Sequence, residues 1–182
     1  LTAVQADPRR VWTYVGPYVQ TPLNFLTEFN GGIGGATTAT ILTDIPLKYG
    51  PGKIVPQVVV WQIGVNNCLT DAGRDAFASE YASCINTFQA LCPLAVHVFC
   101  TNVVSLDAAI QARLVTIQGT YAANWAAFAL SGIKFVTVDL FPVLQANLID
   151  FVPDGVHPSR QDGYPKIANA VFSALQAAVA LL

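Results

Sequence analysis

Three short patterns in this sequence carry side chains that can move a proton or hold a developing negative charge. The first is Val152-Pro153-Asp154-Gly155-Val156-His157-Pro158-Ser159, where an Asp and a His stand three residues apart on a turn. A carboxylate so placed can fix the tautomer of an imidazole and stabilise its protonated form, which is what a general base in acyl transfer requires. Pro153 and Pro158 stiffen that turn, although an Asp capping a turn beside a surface His would leave the same pattern. The second is Gly64-Val65-Asn66-Asn67. A Gly that lets the chain turn tightly, followed by an Asn amide, suits a donor to an oxyanion; an ordinary Gly-Asn turn is the alternative. The third is Asn30-Gly31-Gly32-Ile33-Gly34-Gly35-Ala36-Thr37-Thr38, whose glycines let backbone N–H groups face a ligand. Phosphate is a poor fit to this loop, because the spacing matches neither a dinucleotide nor a P-loop pattern and no Lys-Ser/Thr pair follows.

Such loops need a rigid frame, and short apolar runs alternating with helical periodicity predict one: a parallel sheet covered by helices on both faces. Strands are expected at Leu1 to Val4, Val58 to Ile63, Leu94 to Cys100 and Lys134 to Leu140. Phe77, Tyr81, Ile85 and Phe88 recur at helical spacing, as do Leu106, Ile110, Leu114, Ile117, Tyr121, Trp125 and Phe128. A last helix starts near Tyr164, with Asp162 as its cap and Pro165 in its first turn. The segment Asn30 to Gly52, richest in Gly and Pro, reads as turns, with a short helix opening after the glycine loop. In an open α/β sheet chemistry gathers at the carboxyl ends of the strands, where all three patterns fall.

Taken together, the three loops resemble the SGNH, or GDSL, hydrolase family. The second-block glycine of that family corresponds to Gly35, its GxND block to Gly64-Val65-Asn66-Asn67, and its DxxH block to Asp154 through His157. The resemblance spans nearly the whole chain. It implies an α/β three-layer sandwich with a five-stranded parallel sheet ordered as in flavodoxin. It also implies hydrolysis of an acyl or acetyl ester, of a lipid, sugar or thiol, by a serine nucleophile without a cofactor. His157, Asp154, Asn66 and Gly35 are then the catalytic candidates.

The first block, Gly-Asp-Ser after strand one, is where the sequence departs. No serine occurs before Ser79. One alignment puts Pro8 at the nucleophile position and another puts Asp7 there; Pro would also lack the backbone N–H that an oxyanion needs. The third-block Asp is Asn67, which loses a charge and keeps hydrogen-bonding capacity. Ser105 reads as a helix cap, Ser159 as a turn residue and His97 as a structural strand residue. Trp12, Tyr14 and Tyr18 either line a sugar face or pack inside. An ester hydrolase is one reading of such a chain, and an inactive ligand-binding or structural domain is the other.

Composition narrows the partners. With 182 residues, 53% of them apolar, the chain can bury a core without metal or cross-links, as one domain over 1–182. Nine Lys plus Arg against eleven Asp plus Glu, with no basic run, offer nothing to a phosphate backbone, so no nucleic-acid partner is expected. Mean hydropathy is +0.48, yet Asn169, Ser173 and Gln176 mark one polar face on the last helix, so no membrane span is expected. A small acylated substrate or glycan is the ligand that the family resemblance implies. Charged residues are only 11%, which leaves self-association open. The start at Leu1 and the lack of Met suggest a processed or excised beginning. Cys68, Cys84, Cys92 and Cys100 have no zinc spacing, and no metal is expected. Their even number and the low Lys content lean towards a secreted protein with disulfides. If the strands ending near Cys68 and Cys100 are neighbours, these two pair at one sheet edge and Cys84 pairs with Cys92.

Overall fold

The three apolar runs at Val58–Trp61 (β1), Val96–Cys100 (β2) and Phe135–Val138 (β3) form a parallel sheet in the order β1-β2-β3, with Val59 opposite His97 and Phe99 opposite Thr137. This is a computed structural model, which describes residues 33–144, 150–151 and 153–182. Helices Thr38–Lys48 (α1), Asp71–Leu91 (α2), Ala108–Leu130 (α3) and Gly163–Val179 (α4) surround the sheet. A 3-10 turn, Asn66–Leu69, leads from β1 into α2. All five residues of β2 are buried, as a central strand covered on both sides must be.

Period-two alternation divides β2 between two cores. His97 and Phe99 face α2 and α3, where Phe77, Tyr81, Ile85, Phe88, Ile110, Leu114, Tyr121 and Phe128 supply one continuous apolar layer. Val96, Val98 and Cys100 face α4, meeting Ile167, Ala168, Val171 and Leu175. Burial of each large side chain stabilises by about 1.5–3 kcal/mol, so the expected helix faces are the main source of cohesion. Asn169, Ser173 and Gln176 lie on the exposed side of α4. Among the described residues no helix is long and apolar enough to cross a membrane.

Several expectations are corrected. Three strands are present among the described residues where five were expected. Leu1 to Val4 lies outside them, and the strand expected over Lys134 to Leu140 runs from Phe135 to Val138, with a turn at Phe141–Leu144 beyond it. The short helix expected after the glycine loop is present as the eleven-residue α1, longer than the surrounding turns suggested, and is capped by Thr37, whose side chain accepts from Thr40 N. Asp162 precedes α4 without capping it. Ser159 Oγ takes that role, accepting from Asp162 N (3.2 Å) and Gly163 N (3.1 Å). Ser105 likewise is not the cap of α3; Asp107 accepts from Ile110 N at 2.9 Å, and Ser105 Oγ accepts from Asp107 N.

The disulfides are also corrected, since Cys68, Cys84, Cys92 and Cys100 are all free and buried. Cys84 lies inside α2 and Cys92 is its C-cap. Eight residues of helix separate their Cα atoms by roughly 12 Å, beyond the reach of a disulfide. Cys68 packs in the layer on the α2 and α3 side of the sheet, whereas Cys100 faces α4, so the sheet stands between them.

Candidate active site

The site grows from the ends of β1 and β2. Past Trp61 the chain runs through Gln62 and Ile63 to Gly64, which has φ of 127°. A Cβ there would lie 2.6 Å from Asn102 Nδ2 and 2.8 Å from the Phe77 ring, so only Gly combines this backbone with this neighbourhood. Beneath the turn, Tyr121 donates its hydroxyl to Ile63 O (2.9 Å) and accepts from Asn102 Nδ2 (2.8 Å). Burial pushes the Tyr121 hydroxyl far above its ordinary pKa, which keeps it neutral and able to donate.

Asn66 and Asn67, adjacent in sequence, have different surroundings. Asn66 is half-buried and lines the cleft, and one of its Nδ2 hydrogens goes to Ala36 O at 2.9 Å. An amide nitrogen carries two donors. Asn67 is turned inward: its Oδ1 accepts from Thr38 N (3.0 Å), its Nδ2 donates to Thr38 Oγ1 (2.7 Å), and the Thr38 hydroxyl donates to Glu80. This position therefore ties α1 to the 3-10 turn and to α2.

Across the cleft, Asp154 and His157 share one tight turn. Asp154 Oδ1 accepts from Val156 N (2.8 Å) and His157 N (2.9 Å), while Oδ2 lies 2.6 Å from His157 Nδ1. Partial burial works to raise the Asp154 carboxyl, but the hydrogen bonds from His157 N, Val156 N and the ring outweigh it and hold the group below the usual carboxylate range. The ionised oxygen makes Nδ1 the protonated ring atom, leaving Nε2 as the basic one. The His157 side chain is largely exposed and that of Asp154 about half exposed. The turn is tethered through Gly155 O, which accepts from Leu106 N (2.7 Å) and Ser105 Oγ (3.2 Å). Its base is closed by the Phe151–Pro158 bridge, by Ser159 N donating to Asp150 O, and by Lys166 Nζ at 2.5 Å from the buried Asp150 carboxylate.

A cleft of about 180 Å³ lies between these loops, lined by Gln62, Val65, Asn66, Asn102, Val103, Val156, His157, Pro158 and Tyr164. The structure thus brings Asn66 and His157 onto one cavity, with Asp154 behind the imidazole. Gly35 is exposed with φ of 77°; its neighbour Ala36, not Gly35 itself, is bonded to Asn66. Asp7, Pro8, Trp12, Tyr14 and Tyr18 lie outside the described residues. His97 is structural as expected: its Nδ1 accepts from Trp61 Nε1 (3.0 Å), its Nε2 meets Gln89 Oε1 (2.9 Å), and burial lowers its pKa to about 4. Gln62, Asn102 and Tyr164 were missed in the sequence. The first two sit just past strand ends, which is the signal that would have found them. A base on a carboxylate facing an amide donor across a small cleft suits acyl transfer. Among the described residues no cluster of His, Cys, Asp or Glu could hold a metal ion.

Residues 2–164 match the family model of GDSL-like lipase/acylhydrolases. The chain belongs to this family. No curated protein matches the sequence. Among solved structures, a lipase/acylhydrolase from Enterococcus faecalis is similar at 16% identity and a TM-score of 0.72, covering 94% of this chain and 86% of that one. A family 3 carbohydrate esterase from Clostridium thermocellum is similar at 20% identity and a TM-score of 0.70, covering 94% and 88%. A catalytic mutant of an acetylxylan esterase from Geobacillus stearothermophilus is similar at 16% identity and a TM-score of 0.66, covering 91% and 80%. At such identities these likenesses establish the GDSL acylhydrolase fold alone.

Proposed function

We propose that this GDSL-family chain hydrolyses an acyl or acetyl ester of a sugar or other alcohol, with His157 as general base and then general acid. The observation that carries this reading is the His157–Asp154 pair facing Asn66 across one cleft at the carboxyl ends of the strands. Asp154 holds Nδ1–H, so Nε2 is the atom that takes a proton. The second Nδ2 hydrogen of Asn66 stabilises the oxyanion. With neither Asp7 nor Pro8 a serine, water is the nucleophile. His157 Nε2 removes its proton as the oxygen attacks the carbonyl carbon, and the negative charge of the tetrahedral intermediate, on the former carbonyl oxygen, is met by the Asn66 amide. Collapse breaks the bond to the alkoxide, which takes the proton back from His157 and leaves as alcohol, with the carboxylic acid as the other product.

Ser105 and Ser159 stay outside this scheme, because both hydroxyls are committed to backbone groups around Asp107, Gly155 and the start of α4. The absence of any serine before Ser79 favours one second reading, a domain that binds an acylated ligand without turning it over. The deciding experiment is hydrolysis of p-nitrophenyl acetate by the purified chain and by His157→Ala. General base catalysis contributes about 10²–10⁴-fold, so the variant should lose that factor. A fluorophosphonate should label neither protein. Equal rates in both would overturn the hydrolase reading in favour of binding alone.

A further inference from the structure

A second cavity of about 110 Å³ adjoins the His157 cleft at Asn66. It shares Gln62, Val65 and Asn66 with the His157 cleft, and the apolar groups Ile33, Ala36, Ile41 and Ile63 make up most of the remaining wall. Resting on the hydrolase reading above, we propose that this cavity is the acyl subsite, that Ile41 sets the longest chain it takes, and that the substrates are esters of short straight acyl groups.

The leaving oxygen must receive a proton from His157, so the alcohol occupies the larger cleft, of which His157 is a wall. The carbonyl oxygen must meet Asn66, which borders both cavities. The acyl tail is then directed away from His157, into the smaller cavity. Its size limits the tail: at about 30 Å³ per water-sized group, it holds three or four heavy atoms.

The walls are also held in place. Asn66 Nδ2 donates to Ala36 O, joining the two sides of the cavity. Ile41 stands in the first turn of α1, with its N–H bonded to Thr37 O, and that turn is tied to Asn67 through Thr38. A longer chain therefore meets a braced helix at the half-buried Ile41 side chain.

Two readouts test this. In the first, acetate, butyrate, hexanoate and octanoate are titrated into the chain by NMR, which needs no turnover. Each buried methylene raises affinity about fourfold, so butyrate should bind about 15-fold more tightly than acetate, with hexanoate at least tenfold weaker than butyrate. Ile41→Ala should move the maximum to hexanoate, and Ile41→Phe should keep acetate and lose butyrate. Ile41→Val, expected to retain the fold if the Ala variant does not, should narrow the gap between butyrate and hexanoate. In the second, p-nitrophenyl esters of the same acids should give the same order in kcat/KM. Affinity independent of chain length, absence of carboxylate binding, or a maximum unmoved by the Ile41 variants would overturn the subsite. Turnover equal to that of His157→Ala at every length, with the Ile41-dependent binding maximum intact, would instead remove the hydrolase reading and leave the subsite standing.

Discussion

The hydroxyl of Tyr121 is the point at which the Gly64 turn depends on the core, and removing it gives a defined loss. Tyr121 is 1% exposed; its hydroxyl accepts from the buried Asn102 amide and donates to Ile63 O, the carbonyl just before Gly64. Tyr121→Phe deletes one oxygen and strands a donor and an acceptor in a space closed by Phe77 and Gly64. Leaving a buried polar group unsatisfied costs about 1–3 kcal/mol, and partial relaxation of the Asn102 side chain makes about 3 kcal/mol the expected total. At a urea dependence of about 2 kcal/mol per molar, the unfolding midpoint should fall by roughly 1.5 M with the slope unchanged. Asn102→Ala measured alone and with Tyr121→Phe completes a cycle, in which the double variant should fall short of additivity by about 1 kcal/mol. A midpoint within about 0.3 M of the parent would refute the reasoning, because the hydroxyl would then not be satisfying two buried groups.

His97 should make stability depend on pH. Its folded pKa is lowered by burial to about 4 from 6.5, so the unfolded chain binds more protons between those values. Its contribution is fully present above pH 6.5 and is lost as pH falls towards 4, by about 3 kcal/mol. Unfolding by urea at pH 4.5 and 7 measures this, and His97→Gln should flatten the difference. The cysteines should behave as four buried thiols. Burial raises the pKa of Cys68 to about 11 and those of Cys84 and Cys100 to about 12, so a disulfide reagent at pH 8 should react slowly with the native chain and with four equivalents once it is unfolded. Fewer than four would reinstate a disulfide. Gly155→Ala places a Cβ 2.9 Å from Leu106 Cβ on a residue with φ of 69°, and should lower stability by about 1–3 kcal/mol while displacing the His157 turn. Thermal melting and the NMR shifts of the His157 ring would show both effects or their absence.

Much of the fold was legible because periodicity reports burial directly. The spacing of Phe77, Tyr81, Ile85 and Phe88 predicts a helix with one buried face, and all four lie in the core. The run Leu94 to Cys100 predicts a strand buried on both faces, and β2 is that strand. Caps were less legible, since a Ser, Asp or Asn before a helix is a candidate whichever one bonds; Ser159 caps α4 although Asp162 is nearer. Pairing of cysteines was illegible for a similar reason. Which face of the sheet a residue meets depends on the direction of its side chain, and neither spacing nor proximity to a strand end supplies that.

The sequence by itself determined which reactive groups stand close together along the chain: a carboxylate three residues before an imidazole, and a glycine two residues before an amide. These relations are local, so they survive in the order of residues. The tertiary structure decided which of two neighbouring amides faces the cleft. Asn66 borders it, whereas Asn67 is drawn inward by Thr38 and packs beside Glu80. It also set His157 and Asn66, 91 positions apart by their numbers, on one cavity. Side-by-side pairing of β1 and β2 sets the turn after β1 beside the loop after β2, and that loop holds the His157 turn through Gly155 O, which accepts from Leu106 N and Ser105 Oγ.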